Sequence, residues 1–398
     1  MPVEFIGLIS TTHQSEIHHR PGPVVDPGYV ERFARAHENS DFDRVLIGYS
    51  SGSPDGTQVA AQAAAHTDRL GFLVAHRPGF VFPTVAARSF ATLDQFTHGR
   101  VAFHTISGAT DAEQRRDGDH LSKQDRYERS GEFLRILKQA WTSDEPFSHH
   151  GRFYQFEDFV SEVKPYQQPR IPIYFGGSSD AAFRVGAAEA DVFALFAQPL
   201  DQIRGEIAKV HAAAETAGRT KPPRISVSFR PILGATEDLA WKRAYEILDR
   251  TKAALKAPVA SREWRPATGS PPSVGSRRQL EAAARGERHD RALWTPLAAA
   301  TGAGGNSTAL VGTPETVAQA LLDYVDLGVS TLLIRGYDPY DDAIDYGREL
   351  IPRVREGVAR RDQGAAGHPS GGRAAAWIRS ATATPGTGSI QTGLRRQT

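Results

Sequence analysis

Apolar positions along this 398-residue chain follow two periods in turn. Short apolar runs of four to six residues lie at 5–10, 44–48, 71–75, 101–106, 172–175, 192–195, 224–229 and 330–334, and each reads as a strand. Between them the apolar positions move to helical spacing. One clear case opens at Pro83-Thr84, places Val85, Phe90, Leu93 and Phe96 near helical intervals, and ends at Gly99-Arg100. Strand and helix alternating in this way predict an α/β protein with a parallel sheet. Eight strands suffice to close a (β/α)8 TIM barrel, which leaves no sheet edge exposed; a doubly wound open sheet is the alternative.

Two stretches break the rhythm. Residues 143–170 carry Phe147, His149, His150, Phe153, Tyr154 and Phe156, which suits either a short hairpin beside the barrel mouth or an aromatic-packed excursion. Residues 258–308 pass through Pro271-Pro272, a helical pattern around Leu280, and Gly302-Ala303-Gly304-Gly305. A long Gly-rich connection in a compact fold is either a functional lid or a disordered segment. After Arg361 periodicity is lost in favour of Gly, Ala, Ser, Thr and Arg. The globular domain is therefore expected over 1–356 and a disordered tail over 357–398, within which Trp377-Ile378 reads as incidental.

Composition narrows the chemistry. Lys plus Arg (47) balance Asp plus Glu (46), so no strong field invites a nucleic acid. The absence of cysteine removes disulfides, thiolate nucleophiles and cysteine-ligated metals. The opening residues are too short for a secretory core and no long apolar run follows, so a soluble cytoplasmic protein with no membrane partner is expected.

In a barrel the ligand sits where the strands end. The residues at those ends are Thr11, Thr12 and His13; Tyr49, Ser50, Ser51 and Ser53; His76 and Arg77; Ser107 and Gly108; Gly176-Gly177-Ser178-Ser179; Phe196; Arg230; and Arg335 with Tyr337. The set is polar and partly cationic, with no carboxylate pair for acid/base or metal chemistry, and an organic cofactor suits it better. Gly177, Ser178 and Ser179 offer backbone N–H groups and hydroxyls at a helix start, a place that favours phosphate, although a capped tight turn reads the same way. Lys123 and Tyr127, four apart, share a helix face, which by itself reads as a solvated basic helix start. His18-His19 and His149-His150 lack metal-ligand spacing and are expected at the surface.

The segments Pro83-Thr84-Val85-Ala86-Ala87-Arg88, Ala91-Thr92-Leu93-Asp94, Gly99-Arg100-Val101 and Tyr174-Phe175-Gly176-Gly177-Ser178-Ser179 resemble the bacterial luciferase-like flavin monooxygenases, with the alkanesulfonate monooxygenases nearest. The likeness extends from Phe5 to about Arg353. It implies the TIM barrel, a mobile lid at 258–308, reduced FMN (FMNH2) as cofactor, O2, a separate NAD(P)H-dependent flavin reductase, a small anionic organosulfur substrate, and a homodimer or homotetramer. It further implies cofactor contacts at Arg77, Ser107, Lys123, Tyr127, Gly177, Ser178 and Ser179, and catalytic positions at His13, Arg230, Arg335 and Tyr337. Lys123 stands where the family usually has His. Ser53, Phe196, Ser228, Arg230 and Pro339 also depart from the alkanesulfonate pattern, and the anion is then expected between the Arg230 and Arg335 forks. A deazaflavin-dependent dehydrogenase on the same barrel, or a flavin-binding barrel without catalysis, are the alternatives.

Overall fold

The computed structural model describes residues 2–20, 22–108, 110–256, 273–304 and 308–366. Its strands are β1 (Glu4–Ile9), β2 (Arg44–Ile47), β3 (Gly71–His76), β4 (Val101–Ile106), β5 (Phe147–His150), β6 (Gln155–Phe159), β7 (Ile173–Gly176), β8 (Val192–Phe196), β9 (Arg224–Leu233), β10 (Arg288–His289), β11 (Leu293–Trp294), β12 (Ala309–Gly312) and β13 (Val329–Ile334). β1, β2, β3, β4, β7, β8, β9 and β13 run parallel in that order, and β13 pairs with β1 to close the ring. The fold is a (β/α)8 barrel. All eight strands lie where the apolar runs place them, within a residue or two except at the end of β9. No helix among the described residues is long and apolar enough to cross a membrane.

The strand alternation sorts side chains into two layers. Ile6, Leu73, Ala102, Tyr174 and Val192 form a small cluster inside the barrel. Phe72, Val74, Phe103, Phe175 and Phe193 point outward into the main core beneath the helices. Below the inner cluster a polar group plugs the N-terminal end: Glu4 accepts from Arg44 at 2.8 Å, Tyr174 at 2.7 Å and Thr331 at 3.1 Å. The opposite, C-terminal end is left for a ligand.

The helix Pro83–Phe96 forms as its pattern predicts, but it buries a different face. Ala86, Ala87, Phe90, Ala91 and Leu93 face the strands, while Val85 and Phe96 are exposed. The small residues let the helix approach closely, and Trp141 donates to the Ala87 carbonyl at 2.9 Å. Of the two readings of 143–170, the hairpin forms: β5 and β6 pair antiparallel. Glu132 holds the connecting turn, accepting from the N–H groups of Phe153 at 3.2 Å and Tyr154 at 2.9 Å.

Two features were not anticipated. β9 outgrows the barrel, and its residues Arg230–Leu233 pair with β12, which continues through β11 to β10. A second core of Ile232, Ala244, Ile247, Trp294, Leu297 and Val311 fills the space behind this extension. Much of the expected lid, 273–304, is thus built onto the barrel; residues 258–272 and 305–307, including Pro271, Pro272 and Gly305, lie outside the described residues. The expected tail is also shorter than 357–398, because the helix Ile351–Ala366 runs through its first ten positions. Gly357 and Val358 pack that helix on its neighbours, and Arg361 pairs with Asp326 at 2.8 Å. Residues 367–398, with Trp377 and Ile378, fall outside the description.

Candidate functional site

The mouth of the barrel has two sides. On the side of β1, β9 and β13 lies a cavity of about 320 Å³. Its polar wall contains Glu16, Arg230 and Arg335, and its apolar wall includes Leu8, Phe33, Phe42, Leu255, Ile334 and Ala343. Arg230 is inside β9, so its backbone is fixed by the pairing with β12, and its guanidinium forms a two-pronged pair with Glu16 at 2.9 Å on each oxygen. Nε donates to the Arg335 carbonyl at 3.1 Å, and the group lies 3.8 Å above the Tyr337 ring. Burial works against charge on both partners. The attraction nevertheless prevails, holding the Glu16 carboxyl well below the usual carboxylate range and raising Arg230.

Arg335 meets Glu16 at 3.4 Å, a long contact, with 29% of its side chain exposed. Burial first, and then the charge on Arg230, lower its pKa to about 10. Beside this group His18 pairs with Asp338, and Arg243 bridges Asp338 at 3.2 Å and Asp342 at 2.6 Å.

The other side lies above β4 and β7, where three helix starts meet. Ser179 caps the helix Asp180–Glu189, and Tyr127, from the helix Lys123–Thr142, reaches the Ser179 side chain. A Cβ added at Gly177 would lie 2.5 Å from the Ala182 Cβ and 3.2 Å from the Tyr127 hydroxyl, so this turn needs its glycine. The helix Val274–Arg285 brings Gly275 against Ser178 and Phe196. Lys123 makes no ion pair among the described residues. Burial, then the neighbouring charges of Arg126 and Arg277, lower its pKa, with Asp111 opposing. Helix N-termini, two serine hydroxyls, a phenol and a cation surplus make a donor set that fits a phosphate monoester. Just below, His104 faces the barrel interior beside Gly176, and burial holds it neutral with a pKa of about 4.

A family description, luciferase-like monooxygenase, matches residues 3–331. The chain belongs to the luciferase-like monooxygenase family. Among solved structures it is similar to a riboflavin lyase (RcaE) with a modified FMN and riboflavin, at 18% identity and a TM-score of 0.73, covering 90% of this chain and 92% of that one. The EDTA monooxygenase EmoA from Chelativorans sp. BNC1 matches at 17% identity and a TM-score of 0.72, covering 90% and 95%. An F420-dependent secondary alcohol dehydrogenase in complex with an F420-acetone adduct matches at 17% and 0.62, covering 89% and 99%.

Within this luciferase-like barrel the residues expected at the site take up distinct places. Tyr127, Gly177, Ser178 and Ser179 come together, and Lys123 stands one helical turn before Tyr127, near Arg277. Ser107 does not join them: its hydroxyl shares a 3.0 Å hydrogen bond with Ser130 in the helix layer, because odd positions of β4 point outward. Arg77 is 2% exposed and spends its fork on Glu113 at 2.9 Å and Asp117 at 3.3 Å, tying down the segment after β4 instead of facing a flavin. Tyr337 is buried under Arg230 rather than open to the mouth. His13 packs 4.9 Å from the ring of His18, beside the cavity.

The expected anion site between two arginine forks is also revised, since Glu16 already occupies that of Arg230. The loops after the strands also bring single carboxylates to the mouth, which the strand-end residues did not show. Glu16, Glu113, Asp117 and Asp338 all stand there, each taken up by a cation. His18 and His149, expected at the surface, pair with Asp338 and Glu132. Glu16, Arg277 and His104 escaped the sequence reading. Glu16 follows the first strand end by several residues, and His104 had a usable signal in the inward phase of β4.

Proposed function

We propose that this protein is a flavin-dependent monooxygenase that takes reduced FMN from a separate NAD(P)H-dependent reductase, uses O2, and acts on a small organosulfur anion. The observation that carries this reading is the phosphate-fitting cradle of Lys123, Tyr127, Gly177, Ser178 and Ser179 on a barrel of this family. When bound, reduced flavin would supply the electrons that let one atom of O2 enter the substrate. Lys123, Ser178 and the turn N–H groups would hold the phosphate. Segment 258–308 would cover the ligand and keep water out, its helix Val274–Arg285 already lying against Ser178 and Phe196. The cavity at Arg335 would orient the substrate beside the ring.

A charge-assisted phosphate contact is worth about 1.5 to 3 kcal/mol, so Lys123→Ala should weaken FMNH2 binding roughly tenfold or more. Unchanged affinity would move the phosphate elsewhere. The match to an F420-dependent dehydrogenase favours one rival, hydride transfer to a deazaflavin. Oxygen uptake with FMNH2 supports the monooxygenase; alcohol-dependent F420 reduction without oxygen uptake would replace it.

A further inference from the structure

The ion group in the cavity does not balance. Arg230 engages all three guanidinium nitrogens with Glu16 and the carbonyls of Arg335 and Gly336. Among the described residues Arg335 has one contact from its guanidinium, the 3.4 Å approach to a Glu16 oxygen that Arg230 already holds at 2.9 Å. Two guanidinium groups therefore share one carboxylate. Neither neighbouring aspartate contacts Arg335 among the described residues. Asp338 is taken by His18 and Arg243, while Asp342 accepts from Arg243 and from the N–H groups of Tyr337 at 2.8 Å and Asp338 at 2.9 Å. Beyond Arg335 the lining is mixed: Leu8, Phe33, Leu255 and Ile334 supply hydrocarbon, while Ser10 and Thr251 add neutral polar groups.

We propose that Glu16 sets the charge of the substrate: by filling the Arg230 fork it leaves Arg335 as the uncompensated cation of the cavity, which accordingly receives an organic anion of single charge on an apolar body. Glu16 and Arg230 are positioning residues, and Arg335 is the anchor. A second negative charge on the ligand would face Glu16 at close range with no guanidinium left to take it. The inference rests on the monooxygenase reading for which molecule is transformed, but the charge rule concerns binding alone.

The test is calorimetric titration of the full chain with four eight-carbon probes: octanoate, 1-octanesulfonate, octan-1-ol and, at a pH where it is doubly charged, octyl phosphate. The two monoanions should bind about tenfold or more tighter than the alcohol and the dianion. Arg335→Gln, which leaves the Glu16–Arg230 pair intact, should abolish that preference. Glu16→Gln should shift it toward octyl phosphate; since this variant leaves Arg230 buried and unpaired, Arg335→Gln keeps the test decisive if it fails to fold. Equal affinities for octanoate and octan-1-ol in the wild type, or an undiminished preference in Arg335→Gln, would overturn the proposal. Failure of the monooxygenase reading looks different: the charge preference persists while FMNH2 and O2 yield no oxygenated product.

Discussion

The two sides of the barrel mouth are both rich in cationic residues, yet they treat charge in opposite ways. Around β1, β9 and β13 the guanidinium of Arg230 is locked to Glu16 and stacked on Tyr337, so the protein supplies its own counter-ion. Around β4 and β7, Lys123 lies among like charges near three helix starts, and no carboxylate pairs with it among the described residues. A side chain that is internally paired is part of the scaffold; one left short of a partner waits for a ligand. Residue type alone does not separate the two, because Arg77 and Arg230 look as available as Lys123 until their partners are located.

The comparison breaks most readily at the closed side. Arg230→Ala leaves Glu16 as a buried carboxylate without its main partner, and should cost about 3 to 5 kcal/mol of stability, read by urea unfolding. Replacing both residues by apolar side chains of similar size should cost much less than the single change. If the single variant unfolds like the wild type, the pair is not the fixed element described here.

Acid should sharpen the contrast next. Burial lowers His37, His76 and His104 to about 4, against an ordinary 6.5, so the unfolded chain takes up protons on these rings before the folded one does. Stability should fall as pH drops through 6.5 and this part of the loss should level off near 4, amounting to about 3 kcal/mol per ring at most. Glu16 adds a separate loss. Its folded pKa is depressed, so its contribution is complete above its ordinary 4.5 and disappears at lower pH. A flat stability profile between pH 7 and 4 would contradict the buried neutral imidazoles.

The smallest effect belongs to the open side. Gly177→Ala would press its methyl to 2.5 Å from the Ala182 Cβ, closer than van der Waals contact allows, so the turn would have to move. FMNH2 affinity should fall several-fold while the midpoint of urea unfolding changes little. High salt should weaken phosphate binding at this half-buried cation surplus more than it affects the buried Glu16–Arg230 pair.

How far the sequence reveals such a molecule depends on the range of the forces involved. The eight barrel strands, the helix from Pro83 and the turn Gly176-Gly177-Ser178-Ser179 are legible because strand period, proline and glycine act over a few neighbouring residues. Lys123 and Tyr127 are legible as a pair for the same reason, being one helical turn apart. The inner or outer facing of Ser107 follows from the phase of β4, and that phase was open to reading as well.

What the chain order could not reveal is where distant charges meet. Glu16 lies 214 positions from Arg230, and nothing local selects that carboxylate for that fork. β9 also continues past the barrel only because β12 is there to pair with it, which moves Arg230 from a strand end into a strand. The sequence by itself determined the barrel, its family and the Gly176–Ser179 turn, since those rest on local periodicity and motif. The tertiary structure alone decided which cations are spoken for, because an ion pair depends on proximity in space and on the exclusion of water around it.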